Sequence, residues 1–261
     1  MTIVLFAPSN DVLQSYKRCL PLDVSIMATS SWALTRAAAA AAECVVVVAL
    51  DGSDAERFDV RRALTALRAE HPSLAVVCAT EGDALRRALL NDRTASEVVR
   101  AADGPFALRA GVESARTAAL LARSASRMVE ARAIGEALSG ALVHLLTSDP
   151  PPPTVNALAE ATGVHRRTLW YQWTRRARGA SVRLEDVVTW VVLLRGCVRR
   201  ARGMPWTAAA AELGVDRKTL ARAAARCGIA PLPNLAAGEG GAQGLLRHAF
   251  TEKVLGVMWR G

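Results

Sequence analysis

Hydrophobic and polar positions follow two regimes along this chain. In the first, short apolar runs alternate with segments of helical spacing. Ile3 to Ala7 is an apolar run ended by Pro8-Ser9-Asn10-Asp11, which predicts a strand entering a turn. Val24 to Met27 is a weaker strand, and the alanine-rich stretch from Ser30 to Glu43 is helical by propensity. Cys44 to Leu50 is continuously apolar, β-branched and bounded by Asp51-Gly52, the pattern of a strand buried on both faces. Val60 to Glu70 sets Val60, Leu64 and Leu67 on one helical face. Leu74 to Cys78 is another strand, Asp83 to Leu90 a helix and Val98 to Ala101 a last short strand. Five strands interleaved with helices predict a parallel α/β sheet with right-handed crossovers.

In the second regime only helical spacing remains. From Val112 to Leu146 the stripe runs through Ala118, Leu121, Ala125, Met128 and Val129, then Ile134, Leu138, Leu142 and Leu145. Asp149 followed by four prolines stops it. Thr154 to Trp173 then predicts a helix from Val155 to about Thr162 capped by Thr154, a positive-φ turn at Gly163, and a second helix. Leu158 and Ala159 face inward, Val164 plugs the interior, and Leu169 and Trp173 bury. The order repeats from Thr207 to Arg226: Thr207 caps, Gly214 turns, Val215 plugs, Asp216 caps the second helix, and Leu220 and Ala224 face in. Gly163 to Gly214 and Leu169 to Leu220 are both 51 residues, so the two units share one register. Between them Leu184 to Ala201 is too apolar for a solvated spacer and predicts a buried helix. Gly228 to Gly244, rich in glycine and proline, is a loop. Leu245 to Trp259 is a final helix with Leu246, Phe250, Val254 and Val257 on its packed face.

Charge separates the regimes. The 261 residues carry a net charge of +9. Residues 1–125 hold 14 basic and 14 acidic side chains, whereas residues 126–261 hold 19 basic and 10 acidic, so the whole excess lies in the second half. That half is suited to a polyanion. The longest apolar runs fall short of the roughly 20 residues that span a bilayer, and the N-terminus lacks a basic leader. Five scattered cysteines (19, 44, 78, 197, 227) form no C-x-x-C pair and read as reduced thiols of a cytoplasmic protein. The four histidines are equally dispersed, so neither metal nor cofactor is expected. A Gly-rich phosphate loop and a nucleophile–base pair are also lacking, which argues against an enzyme.

Over residues 2–122 the layout resembles the receiver domain of bacterial response regulators, a flavodoxin-like fold. Asp51 closes the third strand where that family has its phosphoacceptor, Thr80 closes the fourth where it has a hydroxyl residue, and Pro105-Phe106 follows the fifth. Two departures matter. Ala7-Pro8 replaces the acidic pair after the first strand, and Gly104 replaces the lysine before Pro105. Phosphoryl transfer to a carboxylate needs Mg²⁺ on several oxygen ligands and a cation on the developing charge. The resemblance is therefore to a pseudo-receiver, in which Asp51 is a turn residue.

Over residues 131–235 the tandem units resemble the DNA-binding domain of AraC-family transcription regulators. Members of that family present two helix-turn-helix units to successive major grooves about 34 Å apart. Ala224 stands at one position where the family has an aromatic residue, and the Leu-Gly-Val-Asp-Arg-Lys-Thr-Leu run is also similar to Fis-type units. The resemblance implies a double-stranded DNA partner. Arg166, Arg167, Arg217 and Lys218, at the helix starts, are the candidates for base contacts, with His165 beside them. Arg175, Arg176, Arg222 and Arg226 are candidates for phosphate. Trp170 and Tyr171 are candidates for thymine methyls or sugar.

The expectation is an α/β receiver-like domain over 1–125, a helical connector over 126–153 and an all-α tandem helix-turn-helix domain over 154–261, whose first helix begins near 131. Its function would be phosphorylation-independent, sequence-specific transcription regulation. The first domain would serve homodimerisation or docking of the transcription machinery or a regulatory protein. The alternatives are a phosphorylation-controlled response regulator and a non-specific nucleoid or RNA-binding protein.

Overall fold

The computed structural model describes residues 2–20, 25–40, 44–50, 59–72, 74–92, 94–130, 135–178, 180–228, 231, 232, 235 and 241–259. The chain divides into two units, Met1–Ala119 and Leu120–Gly261. In the first, strands β1 (Thr2–Phe6), β2 (Ser25–Thr29), β3 (Cys44–Leu50), β4 (Ala75–Thr80) and β5 (Glu97–Arg100) form one parallel sheet. Their order is β2-β1-β3-β4-β5. Helices α1 (Asn10–Cys19), α2 (Trp32–Ala39), α3 (Val60–Glu70), α4 (Asp83–Asn91) and α5 (Gly104–Glu130) alternate with the strands.

Strand side chains alternate between the faces. Ile3, Leu5, Val45, Val47 and Val77 pack with Leu13 of α1 and with Leu108 and Val112 of α5. Val4, Phe6, Val46, Val48 and Val76 pack with Ala39 of α2, Val60, Leu64 and Leu67 of α3, and Leu89 of α4. Both faces are thus covered, which is why β3 reads as an unbroken apolar run.

Three segments differ from the sequence expectation. Asn10 to Cys19 is a helix rather than the tail of a turn, because a parallel β1–β2 pair needs a crossover element between its strands. Its apolar face, Val12, Leu13 and Tyr16, is too short to stand out among polar neighbours. β2 lies at Ser25–Thr29, where it pairs residue for residue with Thr2–Phe6. β4 continues to Thr80, with Leu50 as its partner on β3. Asp51 lies outside the described residues.

The second unit is helical. The C-terminal part of α5 supplies Leu121, Ala125 and Met128 to its core. There follow α6 (Glu136–Thr147), α7 (Val155–Thr162), α8 (Arg166–Arg176), α9 (Leu184–Ala201), α10 (Trp206–Glu212) and α11 (Arg217–Arg226). α9 is the central element: Val187, Val188, Trp190, Val191, Leu193, Leu194 and Cys197 are all buried. The last helix begins earlier than expected. α12 spans Gly241–Phe250, a π-helical turn occupies Thr251–Leu255, and α13 is Gly256–Trp259. Leu246, Phe250, Val254 and Val257 are buried. Among the described residues no helix is long and apolar enough to cross a membrane.

Candidate nucleic-acid interface

Two helix pairs, α7/α8 and α10/α11, are built on one plan displaced by 51 residues. The buried positions correspond: Val155 with Trp206, Leu158 with Ala209, Ala159 with Ala210, Leu169 with Leu220, and Trp173 with Ala224. The turns correspond too. Gly163 and Gly214 have φ of +65° and +67°. The Val164 amide donates to the Ala159 carbonyl at 3.1 Å, and the Val215 amide to the Ala210 carbonyl at 3.0 Å. Each is the six-residue closure that lets a helix end on a left-handed glycine. Val164 and Val215 remain only partly buried while packing on the core. The preceding helices share the register as well, since Ala141, Leu142 and Leu146 of α6 and Val192, Leu193 and Cys197 of α9 are buried counterparts.

The caps hold three of the four helix starts. Thr154 Oγ1 accepts from the Ala157 amide at 3.0 Å. Asp216 Oδ1 accepts from the Thr219 amide at 2.6 Å, a bond that holds its carboxyl below the usual range. His165 is itself a cap, its Nδ1 accepting from the Arg167 amide at 3.2 Å. Thr207 is not a cap: Pro205, with φ −61° and ψ 149°, precedes the first helical residue, Trp206, which buries. A proline with preset φ and an aromatic anchor start α10 without a side-chain acceptor.

The outward faces of α8 and α11 carry the charge. Arg166, Arg167, Arg175, Arg217, Lys218, Arg222 and Arg226 are exposed, and Arg176 is half-buried. Trp170 and Tyr171 are 54% and 57% exposed, large apolar surface on a helix whose other face already buries Leu169 and Trp173. Arg175 lies over the Tyr171 ring, 6.0 Å from its centroid. At the equivalent places of α11 stand Ala221 and Arg222, so the first pair offers aromatic surface where the second offers cation.

Several residues that shape this surface carry no motif signal. Arg199 of α9, with its side chain only 9% exposed, donates to Glu212 at 2.9 Å and to Asp149 at 2.5 Å. It thereby ties the end of α10 to the segment before α7. Gln172 Oε1 accepts from the Leu138 amide at 2.9 Å, fixing α8 to the start of α6. Glu185 and Asp186, in the first turn of α9, face arginines: Glu185 stands 3.7 Å from Arg166, and Asp186 pairs with Arg226. Acidic residues in a first helical turn normally signal only a helix start, so nothing in the sequence marks these two as partners of the basic helices.

In the sheet unit, Thr80 is buried and its hydroxyl accepts from the Gly82 amide at 3.3 Å. No protein-family model matches the chain, and no curated protein or solved structure matches it either.

Proposed function

We propose that this chain is a sequence-specific, double-stranded DNA-binding transcription regulator whose helical unit carries two helix-turn-helix elements, α7/α8 and α10/α11. The observation that carries the reading is the 51-residue repeat. One turn geometry and one set of buried positions are kept twice, while the outward face of each second helix is arginine-rich. A helical core alone does not call for two matching exposed basic faces; a duplex with successive major grooves does. Arg166, Arg167, Arg217 and Lys218 stand at the helix N-termini, from which side chains reach guanine O6 and N7. Trp170 and Tyr171 suit thymine methyls and sugar.

The sheet unit fits a pseudo-receiver. The order β2-β1-β3-β4-β5 is that of flavodoxin-like sheets, and Ala7-Pro8 and Gly104 stand where an acidic pair and a lysine would serve phosphoryl transfer. We assign this unit to homodimerisation or to docking of a regulatory or transcription protein, independent of phosphorylation. Acetyl phosphate with Mg²⁺ tests that independence: a stable aspartyl-phosphate on Asp51 overturns it.

The DNA reading is tested by genome-wide recovery of bound fragments followed by gel-shift titration. One shared motif supports it, and featureless coverage with uniform affinity shows a non-specific nucleoid or RNA-binding protein instead. Changing Arg166 and Arg167 together to alanine relaxes the sequence preference at the recovered motif. Unchanged discrimination in that variant refutes the docking of α8.

A further inference from the structure

Glu185 and Asp186 contact one arginine from each basic helix. Glu185 faces Arg166 at the start of α8, and Asp186 pairs with Arg226 at the end of α11. Both acids lie in the first turn of the helix that joins the two pairs. Asp186 also accepts from the Arg183 amide at 2.9 Å through its other carboxylate oxygen, which fixes the group in place. Glu185 makes no such cap.

The repeat shows that the fold does not require this arrangement. Displaced by 51 residues, the counterparts of Glu185 and Asp186 are Ile134 and Gly135, neither of them acidic. The start of α6 is secured through Gln172 instead. The counterpart of Arg226 is Arg175, which lies over Tyr171 rather than against a carboxylate. The acid pair is thus an addition made only where the two helix pairs join.

We propose that Glu185 and Asp186 are specificity-determining residues that withhold Arg166 and Arg226 from non-cognate DNA. This rests on the DNA-binding reading above. A phosphate that takes either arginine competes with a carboxylate for the guanidinium and brings the polyanion up against that carboxylate. On a non-cognate duplex nothing offsets that repulsion, so the pairs stay closed and two counterion-releasing contacts are lost. On the cognate site the base contact of Arg166 fixes the duplex against both arginines, which offsets the exchange at each. The acids therefore weaken non-cognate binding more than cognate binding, a penalty directed at the wrong partner.

Each phosphate contact contributes about 0.9 to the slope of log K against log salt. Glu185→Gln and Asp186→Asn, each keeping shape and a hydrogen-bond acceptor, are compared with the parent on two duplexes, the recovered motif and a scramble of it. On the scramble each substitution steepens the slope by about 0.9, and a fourfold rise in salt then weakens binding about 3.5-fold more than in the parent. The ratio of cognate to scrambled affinity falls. Arg226→Ala leaves the scramble slope of the parent unchanged but removes the added slope in the Asp186→Asn background. Glu185→Gln, which touches no cap, keeps the test independent of α9 folding, and thermal melts report on Asp186→Asn. Parental binding with the same slope and ratio in both variants overturns this proposal alone. If the parent binds neither duplex, the DNA-binding reading falls and this one with it.

Discussion

At Gly196, α9 packs directly against the second helix pair. A Cβ placed there would stand 3.4 Å from Trp206 Cζ3, 3.5 Å from Leu213 Cδ1 and 3.7 Å from Leu220 Cδ1. These are ordinary contact distances, so alanine fits but nothing larger does. In the first repeat the same two places hold Leu145 and Val155, both buried. The second repeat therefore reverses the sizes, with the small residue on the core helix and the large one on the helix of the pair. Gly196→Leu should overpack by roughly 2 kcal/mol after its helix propensity gain. Trp206→Val should cost about 2–3 kcal/mol, less than a usual tryptophan truncation because the buried indole N–H has no hydrogen-bond partner to lose. The double variant restores the size order of the first repeat and nearly conserves volume. It should cost only about 1–2 kcal/mol, a coupling on the order of 3 kcal/mol. Urea unfolding followed by tryptophan fluorescence measures it, since five of the six tryptophans lie in the helical half. If the two costs add within about 0.5 kcal/mol, the reasoning from repeat to packing is wrong.

Other outcomes follow from the same core. Arg199→Met should destabilise the helical unit by about 2–3 kcal/mol: two charge-assisted hydrogen bonds are lost, but the freed Asp149 and Glu212 carboxylates are half-exposed and regain water. A loss below about 0.5 kcal/mol in urea would contradict the clasp. Burial pushes the thiols of Cys78, Cys197 and Cys227 up to about 12 and that of Cys44 to about 11. A thiol-specific reagent at neutral pH should therefore modify the half-buried Cys19 first and spare the other four until the protein unfolds, with peptide mapping as the readout. The Asp216 carboxyl is held below its unfolded value chiefly by the Thr219 amide. Its capping contribution is thus fully present above the unfolded pKa and lost as pH falls through the lower folded value. The stability gap between the parent and Asp216→Ala should be constant above about pH 5 and shrink below about pH 4. A gap that changes near neutral pH would point to another group.

What the sequence made legible is what a single local signal specifies. β3 and α3 are found at their expected bounds because a β-branched run and a clean helical face each leave one solution. α9 is likewise where its apolar density puts it. The glycine turns were legible because only a left-handed residue closes that geometry. α1 was not, since its existence follows from the pairing of β1 with β2 rather than from its own short apolar face. Thr207 does not cap α10, although a hydroxyl residue is the usual cap, because a buried tryptophan after a proline makes the cap unnecessary.

The candidate interface divides along the same line. Its arginines are visible in sequence because they fall at helical positions counted from a glycine turn. The groups that set what those arginines can do are invisible there, because they arrive from elsewhere in the chain. Asp186 reaches Arg226 across 40 residues, and Arg199 joins Asp149 and Glu212 from a third helix. The count of exposed arginines therefore overstates the cation that this surface offers. Part of it is neutralised in place by acids on the connecting helix, and the exposed cations that pair with neither of those acids include Arg167, Arg217, Lys218 and Arg222. Two of these four begin α11, so the second pair leads with charge while the first leads with Trp170 and Tyr171. On the proposed function the pairs are then unequal readers. Loss of aromatic surface from α8 should alter which bases are preferred, whereas loss of Arg222 should lower affinity for every duplex and flatten its salt dependence by about one contact.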